Sequence, residues 1–367
     1  MYQITPGTFI FVFIFYIDII DIDIYISSIH TSPYIRTLAM ASEDLPRQGD
    51  RKVLVIGGLG FIGYHLVCQL REAGYQVSVG SRTVGCVESG GALYLDLHSM
   101  KDEQLQSILR EFRYVIFAGG VDDRSSVPSG DAASFFYAGN VRPCVRLAEL
   151  CRDLPVQKIV ILGSYFAHFN RVRPEWKMAE RHPYVRSRKL QHEETVLASQ
   201  GKSEIVTLDL PYIFGSAPGK TPLWKPLVKY IRNSPIVFYT NGGTNIVSVE
   251  QVAKATISAM ETASHNESCI IGDQNVTWKE LIALFSLALG KKRWVVTVPD
   301  YIVRFFALIV RIFFCLTCKQ SGLDPYHFIS TQTANTFLDT QPAMERFQYA
   351  RADMQKSIDE TVRACGY

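Results

Sequence analysis

The chain has 367 residues, of which 47% are hydrophobic and 20% charged, so it can fold around one large core or two moderate ones. Its formal net charge of +3 predicts no nucleic-acid partner, because binding a phosphate backbone requires a concentrated basic face. Among the 8 cysteines, Cys315 and Cys318 form a CxxC pair without a second one. A metal site is therefore not predicted, and a redox pair is the alternative interpretation of these thiols.

Residues 1–50 are predicted to lie outside the fold that follows. Residues 9–17 are continuously apolar, and residues 19–26 continue the run with aspartates inserted. A signal peptide or anchor typically begins with basic residues and tolerates acids badly in its apolar core. The leading hypothesis is that Met40 is the true start, and an N-terminal membrane anchor is the alternative.

Residues 52–63 combine an apolar strand, a glycine-rich turn and the start of a helix. Residues 53–56 are rich in β-branched side chains, which is typical of a strand buried in a parallel sheet. The glycines allow a tight turn, close approach of a pyrophosphate and close packing of helix on strand. The helix N-terminus adds N–H donors and a partial positive charge. A dinucleotide is therefore predicted to contact Gly57, Gly60, Phe61, Ile62 and Gly63.

Strands and helices alternate as far as residue 210. The predicted strands are residues 53–56, 76–80, 93–95, 114–118, 158–162 and 204–210, and the predicted helices are residues 61–73, 101–112, 132–154 and 183–200. This order predicts an α/β fold with a doubly wound parallel sheet of the Rossmann type.

The composition changes after Pro211. Residues 214–226 are rich in Gly, Pro and Ser and predict a loop, and later helices are predicted at residues 247–262, 277–289 and 301–318. We expect a Rossmann dinucleotide-binding domain over residues 51–215. Residues 216–367 are expected to form mainly a smaller substrate domain, with residues 247–263 packing back on the Rossmann domain.

The end of the second predicted strand indicates the type of dinucleotide. NAD-preferring sites usually place an acid there for the ribose 2′-hydroxyl, but this chain has Gly80, Ser81 and Arg82. An arginine can bind a 2′-phosphate with two charge-assisted hydrogen bonds. NADP(H) is therefore favoured, with NAD(H) as the alternative, and a solvated Arg82 is the other interpretation. Asp96 either meets the adenine amine or caps a helix.

A second group of candidate residues begins at Ser164, just after the fifth predicted strand. Tyr184 begins a helix that carries Arg188 four residues later, on the same helical face. A tyrosine paired with a cation in this way can act on a carbonyl or an alcohol beside a nicotinamide.

In this order, the motifs resemble the extended branch of the short-chain dehydrogenase/reductase superfamily, with its NAD-dependent epimerases and dehydratases and its 3β-hydroxysteroid dehydrogenase-like relatives. The resemblance covers about residues 51–300. Besides the glycine loop, the matching segments are Asp96-Leu97, residues 115–118, Asn140-Val141, residues 162–164, Pro183-Tyr184, and residues 211–215, 249–253 and 277–281.

The resemblance implies roles for individual residues. Tyr184 would exchange a proton with the substrate oxygen, Ser164 would hydrogen-bond that oxygen, and the nicotinamide would give or take hydride. The further cofactor contacts implied are Asp96, Leu97, Ala118, Gly119, Asn140, Tyr184, Arg188 and Pro211. The function predicted is hydride transfer at a carbonyl or secondary alcohol of a small molecule by an NAD(P)-dependent oxidoreductase or epimerase.

One departure from the family pattern bears on catalysis. The family's YxxxK reads Tyr184-Val-Arg-Ser-Arg188 here, and Lys189 is rotated about 100° from the tyrosine's face. Arginine keeps the charge but is longer and planar. A free tyrosine has a pKa of about 10, so a base near neutrality needs a shift of about 3 units, which a fixed cation can support. Tyr165 could also occupy the family's serine position. The alternative is a catalytically silent NAD(P)-binding assembly or regulatory protein.

Three further features concern substrate and location. Asp122, Asp123 and Arg124 follow the fourth strand and are either substrate contacts or solvated charges.

Residues 301–318 approach the length of a membrane span but contain two arginines, which together cost about 5 kcal/mol or more at the bilayer centre. They predict a covering helix, with peripheral membrane contact as the alternative. A cytoplasmic location is expected, with membrane association as the alternative if the N-terminal apolar stretch is real. A homodimer is left open. Trp224, Tyr230 and the apolar residues 301–318 favour a substrate less polar than a nucleotide sugar.

Overall fold

The computed structural model describes residues 51–82, 92–128 and 131–367. The predictions for residues 1–50 lie outside these ranges. The strands are β1 Lys52–Ile56, β2 Gln76–Ser81, β3 Ala92–Tyr94, β4 Tyr114–Phe117, β5 Lys158–Leu162, β6 Glu204–Asp209, β7 Tyr212–Phe214, β8 Ile236–Thr240, β9 Gly243–Ser248, β10 Glu267–Ile270, β11 Gln274–Thr277, β12 Trp294–Val298 and β13 Asn335–Thr336.

Helices separate most of these strands. They are α1 Phe61–Glu72, α2 Asp102–Leu109, α3 Ala132–Phe136, α4 Arg142–Cys151, α5 Tyr165–Val172, α6 Met178–Arg181, α7 Pro183–Ser199, α8 Lys225–Asn233, α9 Val249–Thr262, α10 Trp278–Ala288, α11 Asp300–Leu316, α12 Pro325–Gln332, α13 Gln341–Arg346 and α14 Met354–Ala364. A π-helical turn, Tyr137–Val141, joins α3 to α4.

A seven-stranded parallel sheet lies at the centre, in the order β10-β6-β5-β4-β1-β2-β3. Strands β1 and β5 are apolar along nearly their whole length because helices cover both faces of the sheet. The chain runs outward from β1 to β3 and then returns to β4 on the other side of β1. Ligands in doubly wound sheets bind beyond the carboxyl ends of the strands at such a reversal. The predicted fold class is confirmed.

A smaller second sheet was not predicted from the sequence. In it β9 pairs with β11, β13 and β7, while β8 and β12 form a separate parallel pair. Their core contains the aromatic side chains of Phe214, Trp224, Trp278 and Phe285. Helix α9, which follows β9 directly, packs instead against α1 of the larger sheet.

Helix α11 forms where residues 301–318 predict it. Val303, Ala307, Val310 and Phe314 are buried, whereas most of the other apolar side chains are exposed. The segment that follows α11 returns to the start of α7: the Tyr184 N–H donates to the Gly322 carbonyl at 3.0 Å, and the Asp324 N–H donates to His182 Nδ1 at 3.0 Å. Within the three described ranges, no helix is long and apolar enough to cross a membrane.

Candidate active site

The glycine loop between β1 and α1 is shaped for close backbone contact. Gly57 has φ +85°, and a Cβ on it would lie 2.9 Å from the Ala118 carbonyl oxygen. A Cβ on Gly63 would lie only 2.2 Å from the Gly57 carbonyl oxygen. Gly60 stands at the N-cap of α1 without a side-chain cap. The N–H groups of Gly57, Gly58 and Gly60 are bonded within the protein, so the uncapped first turn of α1 offers the backbone donors and the positive end of the helix dipole, which fit the pyrophosphate of a dinucleotide.

A pocket of 380 Å³ opens beside this loop, at the carboxyl ends of β1, β4, β5 and β6. Its walls come from both sheets. The predicted site residues among its lining are Phe61, Ile62, Ala118, Gly119, Ser164, Tyr184, Arg188 and Pro211. The remaining lining is rich in apolar and aromatic side chains, including Phe166, Tyr212, Leu223 and Trp224.

Tyr184, Ser164 and Arg188 meet on one wall of this pocket. Tyr184 is 5% exposed, and Arg188 Nε donates to its hydroxyl oxygen at 3.2 Å. Ser164 caps α5, where its Oγ accepts from the Phe166 N–H at 3.4 Å. Burial raises the pKa of Tyr184, while the Arg188 charge and a hydrogen bond with Ser164 act against this rise. The three predicted catalytic side chains thus form one hydrogen-bonded group.

Tyr165, the alternative candidate for the serine position, also lines the pocket but is turned toward the second sheet. Its hydroxyl lies 3.1 Å from Thr244 Oγ1 on β9. Burial raises the pKa of Tyr165 to about 12, so it stays a neutral phenol at physiological pH. Of the two registers left open by the sequence, the structure brings Ser164 to Tyr184.

Asn140 supports the pocket wall from behind. Its Oδ1 accepts from the Val121 N–H at 2.7 Å, and its Nδ2 donates to Ser187 Oγ at 3.0 Å. Asn140 is fully buried within the π-helical turn and is not among the residues that line the pocket. Its contacts in the structure are with the protein itself.

Arg82, Asp96 and Leu97, which the sequence predicts as cofactor contacts, follow β2 and β3 and do not line the pocket. Arg82 is exposed directly after β2, and the buried Leu97 offers its carbonyl to Arg146 Nη1 at 2.7 Å. Asp96 accepts from Ser99 Oγ at 2.5 Å and from the His98 N–H at 3.0 Å. These hydrogen bonds, and to a smaller extent the Arg82 charge, lower the pKa of Asp96. Asp96 therefore organises its own turn while lying within electrostatic range of Arg82.

Asp122, Asp123 and Arg124 follow β4 and also line the pocket. Arg124 Nη1 donates to the Leu223 carbonyl at 3.1 Å, and its guanidinium carbon lies 5.6 Å from the Trp224 ring centre. Burial and the neighbouring Asp122 charge raise the pKa of Asp123 to about 7. Burial also acts to raise the pKa of Asp122, but Arg124 holds it below its usual value.

Gln191 is a residue of this region that the sequence did not single out. It lies on α7, is fully buried, and accepts from Arg188 Nη1 at 2.9 Å through Oε1. Its spacing of three residues from Arg188 was the available signal, because residues i and i+3 are neighbours on a helix.

Comparison with known proteins agrees with this architecture. The model of the NAD dependent epimerase/dehydratase family matches residues 53–272. The chain is similar to the sterol-4-alpha-carboxylate 3-dehydrogenase, decarboxylating, of Mus musculus, with 24% identity over 337 residues that cover 86% of this chain and 91% of the relative. The protein of the same name from Homo sapiens is 28% identical over 231 residues, which cover 59% of this chain and 60% of the human protein.

Solved structures share the fold at low sequence identity. A UDP-N-acetylglucosamine 4-epimerase from Bacillus cereus has a TM-score of 0.62 at 15% identity, with 86% of this chain and 99% of that one covered. The UDP-glucose 4-epimerase of Thermus thermophilus in complex with NAD has a TM-score of 0.58 at 17% identity, with coverage of 86% and 99%. The chain therefore belongs to the NAD dependent epimerase/dehydratase family and is an NAD(P)-dependent enzyme of the dehydrogenase and epimerase type.

Proposed function

We propose that this enzyme transfers hydride between NADP(H) and a carbonyl or secondary alcohol of a small molecule of low polarity. The observation that carries the proposal is the contact between Tyr184 Oη and Arg188 Nε on the wall of a pocket that is also lined by Phe61 and Ile62, the two residues that follow the glycine loop. A proton-exchanging phenol and a dinucleotide loop at one pocket are the two parts that carbonyl reduction requires.

The residues of the site have separate tasks in this mechanism. The bound nicotinamide supplies or accepts the hydride. In the reductive direction Tyr184 gives its proton to the substrate oxygen, and in the oxidative direction the phenolate takes the proton back. Arg188 stabilises the phenolate, and Ser164 Oγ donates to the substrate oxygen. The apolar wall around them excludes water, which strengthens both interactions.

Turnover by two variants tests this assignment. Tyr184→Phe removes the proton donor, so we expect at least a hundredfold loss in the rate of NADPH-dependent carbonyl reduction, with NADPH still bound. Arg188→Lys keeps the charge and restores the family's residue, so it is expected to retain far more activity than Tyr184→Phe. Unchanged turnover in both variants would refute the assigned active site and support the alternative of a silent binding protein.

Two features support NADP(H) over NAD(H). Arg82 is exposed directly after β2. The Asp96 carboxylate, which follows β3, already accepts hydrogen bonds from Ser99 Oγ and the His98 N–H. Nicotinamide fluorescence titration decides the preference: we expect NADPH to bind at least tenfold more tightly than NADH and Arg82→Ala to remove most of the difference. Tighter binding of NADH would overturn the argument.

The low polarity of the substrate rests on the pocket lining. Phe166, Tyr212, Leu223 and Trp224 provide apolar surface, with the Asp122–Arg124 group beside it to orient a polar substituent. The similarity to the mouse and human sterol-4-alpha-carboxylate 3-dehydrogenases supports a sterol-like alcohol as the substrate. Turnover of a sterol panel against a UDP-sugar panel separates this proposal from the epimerase alternative.

We also propose the following organisation. Residues 216–367 form mainly the substrate domain, which contributes Trp224 and Leu223 to the pocket. The protein is cytoplasmic and makes peripheral membrane contact through residues 301–318, since α11 exposes Tyr301, Phe305 and Leu316 at 73%, 60% and 79%. A homodimer stays a prediction, which mass measurement of the native protein in solution tests directly.

A further inference from the structure

The guanidinium of Arg188 donates hydrogen bonds to four protein oxygens. Arg188 is 8% exposed, so these contacts lie away from bulk water. Its donors are Nε to Tyr184 Oη at 3.2 Å, Nη1 to Gln191 Oε1 at 2.9 Å and to the Leu162 carbonyl at 3.4 Å, and Nη2 to the Val121 carbonyl at 3.4 Å. The contact with Gln191 is the shortest of them.

An arginine needs such a contact more than a lysine does. The ammonium of lysine is a compact charge whose three N–H donors can rotate toward a partner. The planar guanidinium of arginine presents its donors in a fixed fork. Nε can face Tyr184 only when Nη1 and Nη2 lie in the matching plane. The partners of Nη1 and Nη2 therefore fix where Nε points, and the shortest of these contacts is the one with Gln191.

Gln191 is itself fixed in orientation. Its Nε2 donates to Cys144 Sγ at 3.3 Å, and Cys144 is buried on α4, which packs against α7. A guanidinium has donors and no acceptor, so Oε1 and not Nε2 must face Arg188. The side chain thus connects the two helices with its acceptor directed at the active-site cation.

We propose that Gln191 is a positioning residue that holds the Arg188 guanidinium with Nε toward the oxygen of Tyr184. This inference rests on the proposed role of Tyr184 as the proton-exchanging group. Through this contact, the chain uses an arginine where the family pattern has a lysine.

The charged and titratable groups around Tyr184 show what the contact controls. Arg188 faces it from its own helix, Asp122 and Asp123 face it from the loop after β4, and Ser164 faces it from the start of α5. Burial and the two aspartates raise the pKa of Tyr184, while Arg188 and Ser164 lower it. If the guanidinium turned away from Tyr184, the pKa of the tyrosine would rise, because burial and the two aspartates would act without the main opposing charge.

The test measures the titration of Tyr184 in the full-length protein saturated with NADP⁺. Tyrosine labelled with ¹³C at Cζ reports ionisation by NMR, and Tyr184→Phe assigns the resonance. We expect Gln191→Met to raise the pKa of Tyr184 by about one unit, a tenfold change in proton affinity, while the Kd for NADP⁺ changes less than threefold.

Two further variants serve as controls. Gln251→Met removes another buried glutamine, one that bonds Asp273 and the Ala350 carbonyl, and is expected to leave the Tyr184 titration unchanged. Cys144→Ser keeps an acceptor for Gln191 and is expected to behave like the parent. If Gln191→Met does not fold, Cys144→Val replaces it, with a smaller rise of the pKa expected.

An unchanged Tyr184 pKa in Gln191→Met, or in Cys144→Val where that variant is used, would overturn the inference. A shift of equal size in Gln251→Met would overturn it too, because it would show a general effect of losing a buried amide. The titration needs no substrate. Failure of the proposed function would appear separately, as a parent protein that binds NADP⁺ but reduces no carbonyl compound.

Discussion

His182 stands directly before the helix that carries Tyr184, and it is almost completely buried. Burial lowers the pKa of His182 to about 4, against about 6.5 in an unfolded chain. The folded state therefore binds fewer protons than the unfolded state, and stability is complete above about pH 7 and falls as the pH drops toward 4. Its neutral Nδ1 accepts from the Asp324 N–H, so protonation also removes a hydrogen bond.

Replacement of His182 by asparagine tests this linkage. The amide oxygen can still accept from the Asp324 N–H but does not titrate in this range. We expect the free energy of unfolding of the parent to lose about 2 to 3 kcal/mol more between pH 7 and pH 4.5 than that of His182→Asn. Urea unfolding at both pH values measures it, and equal losses in the two proteins would contradict the argument.

The pH dependence that Asp123 gives to the stability of the fold has the opposite sign. Its pKa of about 7 lies above the unfolded value of about 3.8, so the fold favours the protonated carboxyl and loses stability as the pH rises between these values. We expect Asp123→Asn to raise the Tm at pH 8 and to change it much less at pH 5. Thermal unfolding at both pH values is the measurement. The exposed Asp339→Asn is the control, and an equal rise at both pH values would contradict the prediction.

At the scale of elements, the glycine loop was predictable because its requirements are local. A tight turn, a buried strand and a helix start each leave a pattern within a few residues, and α1, β1, β5 and α7 form close to their predicted bounds. The predicted helix over residues 132–154 forms as α3 and α4 with a π-helical turn between them. Apolar spacing does not distinguish the two helix types, so that turn had no sequence signal.

Gly63 offers a sharp test of the loop. A Cβ there would lie 2.2 Å from a backbone carbonyl oxygen, so Gly63→Ala must separate α1 from β1. We expect at least a tenfold weaker Kd for NADPH together with a lower Tm. The matched control is Gly201→Ala, where no atom lies within 4 Å and φ +71° alone adds strain: Tm is expected to fall without a change in affinity. Unchanged NADPH binding by Gly63→Ala would contradict the model of the loop.

The second sheet escaped prediction for a physical reason. Strand β7 has three residues and β11 four, and their partners on β9 come from distant parts of the chain. Strands this short are stabilised by pairing with other strands and by burial, and a short stretch of sequence carries no information about either. Gln191 is a different case: its spacing of three residues from Arg188 was visible in the sequence, but its burial against Cys144 of α4, which fixes its orientation, was not.

At the scale of the whole molecule, α11 exposes an apolar face that includes Phe305, Ile312 and Leu316. A prediction follows for membrane contact: vesicles containing anionic lipid should bind the protein, and the double change Phe305→Glu with Leu316→Glu should weaken that binding several-fold. Vesicle flotation measures it. Leu197→Glu, at a side chain 76% exposed on α7, is the control. Equal flotation of both variants and the parent would refute contact through α11.

The two hydrogen bonds that join residues 322 and 324 to the start of α7 have a consequence for inheritance. A gene fragment that ended near residue 215 would encode the whole glycine loop and Tyr184, yet the first turn of α7 would lack the partners of the Tyr184 N–H and His182 Nδ1. The same fragment would lack α9, which packs against the helix that follows the glycine loop. Neither the loop nor the start of α7 could therefore be inherited with its native contacts on a gene of that length.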